Sequence, residues 1–369
     1  MNKLQELIYK LCPNGVEYKK IGECCKIETG KLNASAAVEN GEYMFFTTAK
    51  EASKTNTFRW DEEALLIAGN ANVGDVKHYK GKFNAYQRTY VLTNFIDGIN
   101  VRYLYFSLSN NLKTYLDSHK NEAAMTYIVL STLENFEVAV PPLEVQCEIV
   151  HILDNFTLLS AELSAELEVR KQQFDYYKNI LLSIEGKEYK LDDIATFKTG
   201  SKPKEILDAG EYEYINAGTT NSGYSNEFNM NGDKVITPSR GEGGIGFVGY
   251  KKNDFWLGPL CYGIWSKDES IIINKYLYYE LSSKKDEILK RKNTGGVPAL
   301  NGCDLKTIPI NVPTIEEQKR IVNILDSFEK ICEDTTEGLP AEIEARNKQF
   351  EYYRDILLTF KELKVSEVQ

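Results

Sequence analysis

Histidine, paired cysteine and long apolar runs are all scarce in this chain, and each scarcity closes a route. No stretch of about 18 apolar residues occurs, so no segment is expected to span a membrane. The opening residues, MNKLQELIYKLCPNG, show neither an apolar core nor a small-residue cleavage site, so no secretion signal is expected. Seven cysteines (Cys12, Cys24, Cys25, Cys147, Cys261, Cys303, Cys332) never form C-x-x-C and are odd in number. Reduced thiols and a cytoplasmic setting are the expectation. The three histidines, His78, His119 and His151, are scattered, and no H-E-x-x-H or spaced Cys/His set points to a metal. The phosphate-cradling pattern G-x-x-x-x-G-K-[ST] is missing. So is an Asn/Asp-Pro-Pro-aromatic run, which would position a base for amino-methylation. The run Gly241 to Gly246 matches G-x-G-x-x-G, but FVGY follows where a dinucleotide site needs a helix. It reads as a glycine turn in a hairpin. No nucleophile with a predictable base can be assigned. The expectation is a chain without catalytic residues of its own.

Positive charge is also in deficit, with a net charge of −10, but the deficit is local. Leu143–Leu182 holds seven acids against three bases, and 315–361 holds eleven against seven. Residues 18–142 hold fourteen of each sign, and 189–312 sixteen of each. Those two stretches are neutral on balance and can carry basic patches suited to phosphate.

What is present is a duplication. VPPLEVQCEIVHILDNF from Val140, followed by RKQQFDYYKNILL from Arg170, returns as VPTIEEQKRIVNILDSF from Val312 and RNKQFEYYRDILL from Arg346. Repetition at a long period implies two equivalent units. The first copy reads as one helix. Apolar residues recur every three to four positions through Ile149, Leu153, Phe156, Leu163, Leu167, Phe174, Tyr177 and Leu181, interrupted by Ser160 and Arg170. About 40 helical residues span roughly 60 Å. Such a seam needs a partner, and the second copy offers Ile321, Leu325, Phe328, Phe350, Tyr353 and Leu357. Asp154 to Arg170 is sixteen residues, whereas Asp326 to Arg346 is twenty. Four extra residues form a stutter. With Gly338 suited to a helix end and Pro340 to a helix start, a break near Gly338–Pro340 is predicted.

The stretches outside the repeats follow one plan. Each opens on a Thr-Gly (Thr29-Gly30, Thr199-Gly200), continues in short strand-like runs, passes a helix, and ends in a strand leading to Pro. This argues two similar α+β domains on a pair of long antiparallel helices, a pseudo-two-fold design. The expected bounds are a short N-terminal helix in 1–17, a first block 18–140, a long helix 141–186, a second block 187–312, a distal helix 313–361 and a tail 362–369.

Loops in both blocks mix cations with Asn, Thr and Ser. In the first, Lys50, Lys54, Arg59, Asn70, Asn72, Lys77, Lys80, Lys82 and Arg88 gather around turns. In the second, Lys202, Lys204, Asn216, Thr219, Thr220, Asn221, Ser239, Arg240, Lys251, Lys252, Arg291 and Lys292 do so. Lys and Arg neutralise phosphates, and Arg and Asn read base edges. These are the candidate DNA contacts, although any single one could equally be a solvated surface charge.

The order of block, helix, block and helix, with its Pro-x-x-x-x-Gln and Gln-Phe-x-Tyr-Tyr elements, resembles the specificity subunit of type I restriction–modification enzymes over essentially the whole chain. The resemblance implies two target recognition domains, each reading half of a split double-stranded DNA site. It implies a coiled coil that sets half-site spacing, two methyltransferase subunits docked on it, and restriction subunits beyond. S-adenosylmethionine, ATP and Mg are then expected on those partners and not on this chain. A standalone DNA-binding module, or a coiled-coil scaffold that binds no DNA, stays open as an alternative.

Overall fold

The computed structural model describes residues 3–118, 127–241, 243–293 and 298–363. His119, Glu242 and most of the 362–369 tail lie outside them. The chain forms two compact units, Met1–Glu162 with Ile343–Gln369, and Leu163–Glu342. Both are α+β.

In the first unit six strands form one sheet. Their order is Lys26–Thr29, Thr89–Thr93, Trp60–Ala68, Val76–Ala85, Tyr43–Phe46 and Ser53–Thr55. Side chains alternate across a strand, so Leu65 and Ile67 face one side and Leu66 the other. The first side meets the Val101–Ser118 helix, whose Leu104, Leu108, Leu112 and Leu116 fall at four-residue spacing on one face. The other side packs with Phe46, Trp60, Phe83 and Val91, where Trp60 stacks on Phe83 at 5.3 Å. Burying each such side chain stabilises the fold by about 1.5–3 kcal/mol.

The second unit divides the same task between two sheets. Four antiparallel strands run in the order Ala195–Thr199, Cys261–Ser266, Lys234–Pro238 and Gly249–Lys251. Three more are Tyr224–Ser225, Tyr212–Ile215 and Trp256–Leu257. The glycine-rich run from Gly241 joins Lys234–Pro238 to Gly249–Lys251, which pair antiparallel. It connects two strands, as its reading as a hairpin turn requires.

Each block closes on itself. Glu17–Lys20 pairs antiparallel with Glu137–Val140, and Lys187–Lys190 with Pro309–Val312. Entry and exit strands are therefore neighbours, and the chain leaves each block where it came in. The Thr-Gly motifs serve close backbone approach. A Cβ on Gly30 would lie 2.1 Å from the Ala85 carbonyl oxygen, and one on Gly200 1.7 Å from that of Leu257.

From the exit strand of the first block runs one helix of 40 residues, Leu143–Leu182. The second repeat is divided into Ile315–Glu333 and Leu339–Leu357. Between them the Asp334 carboxylate accepts the backbone N–H of Thr336 at 2.7 Å and that of Glu337 at 3.1 Å. The Gly338 N–H donates to the Asp334 carbonyl at 3.0 Å. A Cβ at Gly338 would meet the carbonyl oxygens of Asp334 and Lys330 at 2.6 Å, so only glycine closes this turn without displacement. Pro340 follows in the first turn of the next helix, where its missing N–H costs nothing.

The Lys3–Leu11 helix belongs to the first unit. Its Leu4 is buried with Ile149, Leu153 and Leu358. Nearby, the Val16 N–H donates to the Lys361 carbonyl at 2.9 Å, and the Leu363 N–H to the Val16 carbonyl at 2.8 Å.

Candidate nucleic-acid interface

A reading surface is useful only if it is held rigidly, and the joint between block and helix is built the same way in both units. Gln146 and Gln318 are fully buried. The Gln146 amide donates to the carbonyls of Gly98 (2.8 Å) and Pro141 (2.7 Å) and accepts the Asn100 N–H at 2.8 Å. Gln318 repeats this with Ile271 (2.8 Å), Pro313 (2.9 Å) and the Ile273 N–H (3.0 Å). Only a side chain carrying both a donor and an acceptor can satisfy three main-chain groups in this way. This is the physical reason for the Pro-x-x-x-x-Gln element. Tyr103 donates to the Ala139 carbonyl and Tyr276 to that of Asn311, each at 3.0 Å.

A second fastening joins a cation of the block helix to an acid of the repeat. Arg102 donates to Asp154 through Nε (2.9 Å) and Nη2 (2.7 Å). Lys275 lies 3.3 Å from Asp326 and 2.7 Å from Glu329, against the rings of Tyr250, Tyr278 and Tyr279. The six residues Gln146, Gln318, Arg102, Lys275, Asp154 and Asp326 were not among the candidates. Their signal lay in the repeated Gln and in the shared I-L-D and Tyr-Leu-Tyr runs.

The seam residues divide by position. Ile149, Leu153, Leu181, Ile321 and Leu325 are buried. Phe156, Leu163, Leu167, Phe174, Phe328, Phe350 and Leu357 are half-buried. Tyr177 and Tyr353 are 44% and 43% exposed, yet each stacks on the other repeat within its own unit, Tyr353 on Phe156 at 5.5 Å and Tyr177 on Phe328 at 5.6 Å.

Many of the candidate DNA contacts are engaged inside their own block. Asn72 donates to the Thr48 carbonyl at 2.8 Å, and Lys77 to the Ala49 carbonyl at 2.9 Å and to Asp75. Both tie down the Thr47–Lys50 region. Arg59 pairs with Glu28 at 3.3 Å and lies over Trp60; Lys80 is 3.6 Å from Glu63, and Lys82 lies over Phe58. The buried Asn70 Oδ1 has no hydrogen-bond partner among the described residues. Asn216 accepts the Leu260 N–H at 3.1 Å, Ser239 is buried, Lys251 pairs with Glu213, and Arg291 binds Glu287 at 3.0 Å.

The remainder keep their side chains unpaired among the described residues. Lys50, Lys54, Arg88, Lys202, Lys204, Thr219, Thr220, Arg240 and Lys252 are exposed, while Asn221 and Lys292 are half-exposed. Thr219, Thr220 and Asn221 line a cleft of about 1030 Å³ together with Lys251 and Lys285. Lys50 and Asn72 line another of about 690 Å³ beside Lys113. Arg88 lines a third of about 510 Å³. These clefts offer ammonium, guanidinium, amide and hydroxyl groups, the chemistry of phosphate and base-edge contact, alongside the carboxylates of Glu213, Glu329 and Glu333 in the first and of Asp75 and Asp117 in the second. Burial pushes the Cys24 thiol up to about 11 and the Cys25 and Cys261 thiols to about 12. These three stay protonated at neutral pH and are poor nucleophiles.

Comparison with known proteins gives a consistent result. The family model described as "Type I restriction modification DNA specificity domain" matches residues 13–169 and again residues 184–345. A putative type I restriction enzyme specificity subunit of Haemophilus influenzae is 30% identical over 379 residues, covering 94% of this chain and 96% of the relative. The type I restriction enzyme EcoR124I/EcoR124II specificity subunit of Escherichia coli is 33% identical over 291 residues, 70% of this chain and 71% of its own length. In fold, the chain is similar to the crystal structure of the type I restriction-modification system S subunit from M. genitalium. The TM-score is 0.67 at 18% identity, over 93% of this chain and 96% of that one.

Proposed function

Because this chain belongs to the type I restriction–modification DNA specificity family, we propose that its two blocks each read one half of a bipartite DNA site for a complex whose chemistry resides in other subunits. The chain is the non-catalytic recognition subunit. Its repeated helices set the distance between half-sites and carry two methyltransferase subunits, to which restriction subunits add. S-adenosylmethionine, ATP and Mg belong to those partners, and the complex works in the cytoplasm.

One observation carries this reading. The same glutamine joint fastens both blocks to their helices, while the exposed loops of the blocks differ in sequence and sheet arrangement. A duplicated mount with unlike loops is what a reader of two unlike half-sites needs, just as dimeric DNA binders match like half-sites with like surfaces. The free cations of the clefts supply phosphate attraction that the chain's net charge does not.

The test maps modified bases across the genome of cells with and without this chain. A two-part motif present only with the chain is expected. An unchanged modification pattern, in cells that make the partner subunits, refutes the reading.

A further inference from the structure

Arginine use in this protein is uneven. Of nine arginines, seven hydrogen-bond or ion-pair to a neighbouring side chain. The two that do not, among the described residues, are Arg88 and Arg240. They lie in different units, 152 positions apart in the chain, and share no local sequence.

Yet they occupy one structural junction. In the first unit the Gly69 N–H donates to the Arg88 carbonyl at 2.9 Å, and the Ile128 N–H to the Gly69 carbonyl at 2.8 Å. The Tyr90 hydroxyl caps this by donating to the Ile128 carbonyl at 2.8 Å, and Asn70 pairs across an isolated bridge with Tyr127. The second unit repeats every one of these. Ser239 N–H donates to the Leu260 carbonyl (2.8 Å), Leu300 N–H to the Ser239 carbonyl (2.8 Å), and the Tyr262 hydroxyl to the Leu300 carbonyl (3.2 Å). Arg240 bridges Ala299. The main chain thus makes Arg88 equivalent to Leu260, and Asn70 equivalent to Arg240. Each junction presents one exposed, uncommitted guanidinium, but from opposite walls of the same frame.

We propose that this junction is a base-reading position in each block, with Arg88 and Arg240 as its guanine-discriminating side chains. The inference rests on the DNA-recognition reading above. A structural arginine is held by a partner; here the fold builds the same frame twice, caps it with an equivalent tyrosine, and leaves an exposed arginine side chain with no hydrogen bond or ion pair among the described residues, beside the unsatisfied Asn70 Oδ1 in the first block. Beside Arg88 the cleft of about 510 Å³ also takes in Gln87 and Thr29, further groups able to meet a base edge. Guanidinium has the fork that matches the O6 and N7 acceptors of guanine. Because the arginine comes from different walls, the guanine is expected at different places in the two half-sites.

The experiment uses the chain assembled with its methyltransferase subunits. Competition binding is measured on duplexes that each change one base pair of the bipartite site. For Arg240→Ala, discrimination at one G·C pair of one half-site is expected to fall by about 10- to 100-fold, with the other half-site unchanged. Arg88→Ala is expected to do the same in the opposite half. Arg240→Gln and Arg88→Gln serve if an alanine variant fails to assemble. Uniform weakening across all duplexes, with a shallower salt dependence, would mark a phosphate contact and overturn the proposal. So would unchanged discrimination. In both cases the wild-type complex keeps its two-part specificity and the functional reading stands. A wild-type complex without sequence preference defeats both.

Discussion

Glu280 shows how a single buried carboxyl couples the second block to pH. It is 2% exposed, accepts the Asn311 N–H at 3.1 Å and lies 3.3 Å from Lys284. Burial lifts its pKa above the ordinary range; the Lys284 charge and the Asn311 N–H offset this only in part. A carboxyl raised on folding holds its proton more tightly in the folded state. Its contribution is therefore complete below the unfolded glutamate pKa and is lost as pH rises through the folded value. Glu280→Gln keeps an acceptor for Asn311 and removes the charge. Its Tm is expected to exceed that of the wild type near neutral pH, with the gain shrinking towards about pH 4. A Tm difference that is flat across this range, in calorimetry at several pH values, contradicts the account. Reading such a residue from sequence is out of reach, because Glu280 looks like any surface acid of an amphipathic helix. Asn72 and Lys77 mislead in the opposite sense. Their residue types suit DNA, but one amide and one ammonium spent on the carbonyls of Thr48 and Ala49 are invisible until the loop is folded.

At the scale of elements, the repeat was legible and its neighbours less so. A period of three to four residues over 40 positions has no other physical reading than helix, and the glycine–proline pair marked the stretch where Asp334–Gly338 turns. The two blocks were legible as α+β, but not that, besides its two-stranded entry and exit pair, one holds a six-stranded sheet and the other two smaller sheets. Apart from Trp60–Ala68 and Val76–Ala85, strands of two to six residues leave too little alternation to assign partners. The helix itself invites a length test. Mid-helix, Leu163 and Leu167 are only half-buried, so the region around Ser160 tolerates change better than the buried ends. Inserting about one turn there, four residues, is expected to lengthen the gap between the two parts of the modified motif and to leave each part intact. Sequencing of modified sites reads this directly. An unchanged gap in a complex that still assembles would remove the helix from its role in spacing.

For the molecule as a whole, charge decides what it does alone. The acids concentrate on the repeats and the blocks are balanced, so the chain attracts DNA only through local patches. DNA binding by the isolated chain is expected to be weak and steeply salt-dependent, and to tighten markedly when methyltransferase subunits are added. Fluorescence anisotropy on a duplex bearing the site, with and without those subunits, measures it. Tight specific binding by the chain alone at physiological salt would show that the patches suffice.

The glutamine joint has an implication for how such a chain can change over generations. Apart from Gln146 or Gln318 itself, every group in each clamp is main chain. Gly98, Asn100 and Pro141 in one block correspond to Ile271, Ile273 and Pro313 in the other, so two of the three positions carry unrelated side chains without loss of the fastening. Inheritance of this clamp therefore asks for fidelity at the glutamine codon, while the Tyr103 and Tyr276 hydroxyls and the Arg102 and Lys275 ion pairs add a few more positions to each joint. The exposed loops of each block are free to drift, and a lineage can acquire a new recognition surface while its architecture stays fixed.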